Sequence, residues 1–184
     1  MKRRRDPERG ATLVEAALVY PLLFLAIFAV VEFGFAFKDW LSVSHAAREG
    51  ARAGATYGAD PSADMLVLRD VEATLETAAI GAGTRVRVFD PIGGLSTTYT
   101  FSPGTGCTDI PACCDWTPCP DPFRPSSYVP PNWSPVTRDI SAPFTDRIGV
   151  EVQFTHIWLT NFFFGTTDFT TATDFQIEPQ IFDP

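Results

Sequence analysis

A long apolar segment near the N-terminus constrains the fold of this chain more than any other feature. Residues 16–31 carry no charge, and the wider stretch 11–37 contains only Glu15 and Glu32. As a helix, this stretch would be about 40 Å long, which exceeds the ~30 Å apolar core of a bilayer. It is also longer than the apolar region of a secretory signal, and no small-x-small cleavage site follows it. We therefore predict a retained transmembrane helix over residues 11–37.

The charges on the two sides of this segment are opposite in sign. Residues 1–10 contain five basic and two acidic side chains, whereas residues 39–184 contain eight basic and 18 acidic ones. A basic flank is typical of the cytoplasmic side of a membrane helix. The acidic body argues against nucleic acid as a partner, because phosphate binding needs a basic face. We predict a single-pass protein of the cytoplasmic membrane, with a basic leader at 1–10 in the cytoplasm and an extracytoplasmic domain at 38–184.

Helical periodicity continues beyond the apolar segment. In residues 39–55 a stripe of small and apolar side chains runs through Trp40, Val43, Ala47, Ala51 and Gly54. The stripe either docks on the chain's own domain or lets another helix approach closely.

A second helix is predicted to begin at Asp60-Pro61 and to end at Gly81. Its acidic residues, Asp64 among them, lie mostly off its apolar stripe and are expected to face solvent.

The rest of the domain alternates between strand patterns and an irregular segment. Strands are predicted at 85–89, 96–101, 148–155 and 168–177, and the first two form a hairpin. The expected fold is therefore α+β, in which a long N-terminal helix continues into a domain with a second helix and a three- to four-stranded antiparallel sheet. Residues 102–146 form a predicted loop that contains most of the prolines and all four cysteines.

The four cysteines lie within 13 residues, at Cys107, Cys113, Cys114 and Cys119. Their spacing matches no common zinc pattern, and an extracytoplasmic location permits disulfides. We predict at least one disulfide, whose pairing the sequence leaves open. The chain has no motif for catalysis, for a cofactor or for a metal, so we expect no catalytic residues, no cofactor and no enzymatic activity. His45 and His156 are expected to be structural or surface residues.

At the N-terminus a basic leader ends at Gly10, and Glu15 is the fifth residue counted from Ala11. This pattern resembles the processing region of prepilins in the type IV filament superfamily. The opening Val14-Glu15, the helix proline at position 21, the sequence EFG at 32–34 and the sequence AAREGAR at 46–52 together resemble the TadE-like family.

This resemblance implies a pilin-like fold and a minor pilin or pseudopilin of a Tad-type (type IVc) pilus, which either stays in the membrane or enters a surface filament. A prepilin peptidase would cleave between Gly10 and Ala11. Glu15 would then neutralise the new ammonium group on Ala11 of a neighbouring subunit. The implied partners are the peptidase, other Tad pilins or pseudopilins, the inner-membrane assembly platform and membrane lipid.

The residues alone leave alternatives open. The alternative role for Glu15 is that of an interfacial carboxylate that pairs with Arg9. The alternative function for the chain is that of a static membrane-anchored binding module that is not processed. Glu32, near the outer boundary of the membrane, is expected to pair with Lys38 or a partner helix, or to extend toward the headgroups.

Overall fold

A computed structural model describes residues 7–75, 84–103, 123–125, 133–141, 143–159 and 165–179. The elements in chain order are helices α1 (Pro7–Tyr57) and α2 (Ala63–Leu75), followed by strands β1 (Arg85–Phe89), β2 (Ser96–Pro103), β3 (Phe123–Pro125), β4 (Arg147–Ile157) and β5 (Thr166–Gln176). The predicted α+β class is confirmed. The sheet has four long strands, and the three-residue strand β3 adds a fifth at one edge.

Helix α1 is continuous over 51 residues, through the predicted membrane segment and the stripe that follows it. It passes through Pro21 and ends at Tyr57. Gly58 then takes a φ of 53° and donates its N–H to the carbonyl oxygen of Gly54 at 3.0 Å. A glycine in the left-handed region is a common helix terminator, because it lacks the Cβ that makes this conformation costly.

Helix α2 begins at Ala63, slightly later than predicted. Asp60 nevertheless acts near the helix start, since its carboxylate accepts the Ser62 N–H at 2.7 Å and also the Ser62 hydroxyl. The helix is described to Leu75, and the predicted end at Gly81 lies outside the described residues.

The strands form one antiparallel sheet in the order β3-β2-β1-β4-β5. The predicted β1–β2 hairpin is confirmed, with an Asp90 N–H to Leu95 carbonyl hydrogen bond of 2.8 Å closing its turn. Strands β4 and β5 pair over 11 residues each and are longer than predicted. Strand β3 was not predicted because it is only three residues long and lies within the proline-rich segment.

The core lies between one face of the sheet and the two helices. The buried side chains of that face are Val86, Val88, Tyr99, Ile148, Val150, Val152 and Phe154. Glycines let the α1 backbone approach closely, since a Cβ at Gly50 would lie 2.5 Å from Val71 Cγ2 and one at Gly54 would lie 2.6 Å from Ile148 Cδ1. The small-residue stripe therefore docks on the chain's own domain, although Trp40 at its start remains exposed.

A buried charge network fixes the end of the proline-rich segment to the helices. Arg138 is 4% exposed and forms an ion pair with Asp64, whose other carboxylate oxygen accepts the Tyr99 hydroxyl at 2.7 Å. The Arg138 guanidinium also stacks on Trp133, 4.4 Å from its ring centre. The expectation that Asp64 faces solvent is therefore wrong, because a partner 74 residues away compensates the cost of burying its charge.

Candidate functional site at the N-terminal helix

The first half of α1 projects from the domain with its apolar side chains exposed all round. Leu13, Leu18 and Val30 are each more than 70% exposed, and among the described side chains of α1 the first buried one is that of Glu32. Residues 11–31 span about 32 Å at ~1.5 Å per residue, which matches the apolar core of a bilayer. By its length and composition, α1 can cross a membrane, and the chain has the form of a single-pass membrane anchor.

The residues of the predicted processing site lie in the first turns of α1. Gly10 and Ala11 are exposed, and a Cβ at Gly10 would meet no atom within 4 Å. Glu15 is also exposed, and it has no hydrogen bond or ion pair within the part of the chain that the structure describes. Arg9, its alternative partner, lies outside the described side chains. The roles of Gly10, Ala11 and Glu15 therefore remain predictions.

The cysteines at 107, 113, 114 and 119 lie outside the described residues, so the disulfide also remains a prediction. Within the described ranges, no three side chains of His, Cys, Asp or Glu come together in a group that could hold a metal ion.

Within the described ranges, burial of α1 side chains begins at Glu32, which lies in the predicted membrane segment. Glu32 is only 3% exposed, and its Oε2 accepts the backbone N–H of Leu159 at 3.0 Å. Ala36, one turn further, is also buried. The last six residues of the predicted transmembrane stretch, 32–37, therefore carry contacts to the domain as well as apolar surface.

A second acidic residue of α1 binds the same end of β4. Asp39 Oδ2 lies 2.8 Å from His156 Nδ1, and His156 is buried. Trp158 packs edge-on against both His156 and Phe33, with ring centres 5.0 and 5.6 Å apart, and donates its indole N–H to Thr167 at 2.8 Å. We call the set Glu32, Asp39, His156, Trp158 and Leu159 the exit contact.

The three expectations for Glu32 are wrong, because its carboxylate is buried against the chain's own domain. Its acceptor role could not be predicted, since the donor is a backbone amide 127 residues away. A weaker signal was present in the sequence. Glu32, Ala36, Asp39 and Val43 follow the three- and four-residue spacing of one helix face, and so extend the predicted stripe toward the membrane. The expectation that His156 is structural agrees with its position here.

The sequence AAREGAR divides cleanly between two faces of α1. Its small residues, Ala46, Ala47, Gly50 and Ala51, are buried against α2 and the sheet. Its charged residues, Arg48, Glu49 and Arg52, are exposed and line a shallow groove with Phe175 of β5. The motif therefore combines close backbone packing on one face with a charged outer surface on the other.

Comparison with protein families gives a match within helix α1. The family described as TadE-like protein matches residues 10–52, which run from the predicted processing site to the end of the AAREGAR sequence. No curated protein and no solved structure matches the chain. The predicted resemblance to the TadE-like family is thus confirmed over residues 10–52, and it indicates a protein that is associated with Tad pili and their other components.

Proposed function

We propose that this chain is a minor pilin or pseudopilin of a Tad-type pilus, a structural or priming subunit rather than an enzyme. The observation that carries the proposal is an exposed carboxylate, Glu15, on the exposed apolar half of α1, five residues after Gly10. At its other end the helix packs on a folded domain.

At its depth in the membrane, the Glu15 carboxylate would be stabilised by a group of opposite charge. A carboxylate at the centre of a bilayer costs about 2.5–3.5 kcal/mol on insertion scales, and less near the edge. Cleavage after Gly10 would create an ammonium group on Ala11, which carries the opposite charge at nearly the same membrane depth. A neighbouring subunit's Ala11 is then the natural counter-charge, since the pair becomes neutral within a bundle of apolar helices.

The surroundings of Gly10 suit a peptidase that acts at the cytoplasmic face. The site lies between the basic leader and the apolar helix, in the first turn of α1. Helix ends fray, because their first N–H groups have no partner within the helix. A Cβ at Gly10 would meet no atom within 4 Å, so the site is open to an enzyme, and glycine lets the backbone extend into a narrow cleft.

In this proposal the N-terminus faces the cytoplasm and the acidic domain lies outside the membrane. Prepilin peptidase would act first, and other Tad pilins or pseudopilins and the inner-membrane assembly platform would bind afterwards. A reporter fused after residue 184 should therefore lie outside the cytoplasmic membrane.

N-terminal sequencing tests the processing step. In cells that possess a prepilin peptidase, the mature protein should begin at Ala11. Gly10→Leu should leave a precursor that is longer by ten residues and still inserts. Gly34→Leu is the matched control, because Gly34 lies in the same helix and a Cβ there would also meet no atom within 4 Å. A wild-type protein that begins only at Met1 or Lys2 would favour the static, unprocessed module.

Co-purification tests the role of Glu15. Glu15→Ala should be inserted and cleaved normally but should lose association with partner pilins. Glu49→Ala removes the same charge from an exposed site on the domain part of α1 and should keep that association. Equal recovery of partner pilins with both variants would contradict the assembly role of Glu15.

A further inference from the structure

Two large apolar side chains remain exposed at the end of β4. Ile157 is 73% exposed and Leu159 is 69% exposed. Their neighbours His156 and Trp158 are buried within the exit contact, so the backbone of this strand end is held against α1. The two apolar side chains therefore have a fixed place relative to the helix.

The exit contact places this strand end at the membrane boundary. If the apolar core begins at Ala11, its ~30 Å thickness accommodates about 20 helical residues and ends close to residue 31. The headgroup layer adds about 5–7 Å on each side and covers roughly the next four residues. Since the Leu159 amide is bonded to Glu32, Leu159 lies at the level of that layer. Ile157 lies further out, between the levels of Glu32 and Asp39.

Aromatic side chains on α1 surround the same level. Phe33 and Phe35, in the first turn beyond the apolar core, are 59% and 46% exposed. Aromatic residues are enriched at the membrane–water interface, where their rings fit the headgroup region. Together with Leu159 they continue the apolar surface of the bare helix onto the domain.

The geometry points to a second membrane contact, in which the end of β4 rests on the surface of the bilayer that faces the domain. Leu159 inserts among the lipid headgroups, and Ile157 lies at the edge of the contact. The occupant of this apolar surface is lipid, because the surface is continuous with the membrane-spanning part of α1. This inference depends on membrane anchoring by α1 and not on processing at Gly10.

Photo-crosslinking to lipid tests the contact. The photoreactive residue benzoylphenylalanine is placed singly at positions 159, 157, 92 and 23 of the full chain, in vesicles of phosphatidylethanolamine and phosphatidylglycerol. Ile92 is the matched control, since it is an 81% exposed apolar residue in the β1–β2 turn. That turn lies at the other end of the sheet, where Phe89 pairs with Gly149, about 27 Å along β4 from Ile157. Position 23 lies in the bare helix and reports insertion.

We expect lipid adducts at positions 23 and 159, a weaker one at 157 and none above background at 92. An adduct at 23 without one at 159, or equal yields at 159 and 92, would overturn the second membrane contact and leave the anchor intact. Crosslinking of position 159 to protein, with no lipid adduct, would also overturn the second membrane contact. Failure at position 23 would overturn the membrane anchor itself, together with this inference.

Discussion

Gly50 is a point where α1 packs directly on both α2 and the sheet, and we expect Gly50→Ala to destabilise the domain. A Cβ at Gly50 would lie 2.5 Å from Val71 Cγ2 and 3.3 Å from Val150 Cγ1. Both valines are fully buried. A branched side chain has few alternative rotamers, so neither valine can turn aside without displacing its own neighbours.

Two opposing effects decide the size of the change. Alanine is favoured over glycine within a helix by about 1 kcal/mol, whereas overpacking a core costs about 1–3 kcal/mol. A contact below 3.0 Å forces α1 and α2 apart, so the upper part of that range applies. We therefore expect a net loss of about 1–2 kcal/mol. Gly34→Ala provides the control, because no atom lies within 4 Å of its Cβ position and only the helix gain remains.

Thermal unfolding of the full chain in detergent micelles, followed by near-ultraviolet circular dichroism, measures the effect. For a chain of this size 1 kcal/mol corresponds to about 2–4 °C, so the Tm of Gly50→Ala should fall by about 2–8 °C. In combination with Val71→Ala, which removes the obstructing methyl group, the loss should be smaller than the sum of the two single losses by about 1 kcal/mol. A Gly50→Ala protein that melts at or above the wild-type temperature would refute the close packing of α1 on the domain.

Three further predictions concern charged groups. Glu32→Ala leaves the Leu159 amide without its acceptor. Because a buried donor left unsatisfied costs about 1–3 kcal/mol, the hydrogen exchange of this amide should accelerate about 5- to 150-fold; unchanged exchange would contradict the contact. Asp64→Ala leaves the Arg138 cation buried and should lower the free energy of unfolding in urea by about 3–5 kcal/mol, so a negligible loss would argue against this ion pair. Hydrogen bonds from the hydroxyl and N–H of Ser62 lower the pKa of the Asp60 carboxyl below 3.8, so its contribution to stability is present at neutral pH and is lost as the pH falls through the folded-state pKa. The difference in unfolding free energy between wild type and Asp60→Asn, measured at neutral pH and at a pH below the folded-state pKa of Asp60, should therefore be smaller in acid.

The features that depend on local sequence could be predicted, and those that depend on distant pairs could not. The alternation over Arg85–Phe89 predicted β1 with its correct bounds, because each step of a strand reverses the direction of its side chain. The spacing of small residues likewise marked the docked face of α1.

Asp64 shows the limit of such reasoning. Its position at the start of α2 favours an exposed acid, and nothing near it in the sequence indicates that Arg138 packs beside it in the core. The contact of Glu32 is still harder to predict from sequence, since its donor is the backbone N–H of Leu159, which any residue type other than proline at that position would supply. The cysteine cluster lies outside the described residues, and its spacing alone does not decide among the possible pairings.

The attachment of the domain to α1 also has a mechanical consequence. One bond joins Glu32 to Leu159 near the membrane, and another joins the Ala55 carbonyl oxygen to the Glu178 N–H about 34 Å further along the helix. Between them the helix runs alongside β4 and β5. A force that pulls the chain along the axis of α1 therefore loads these contacts in shear, so that they share the load instead of separating one after another. Under such a force, the helix and its domain should move as one rigid body.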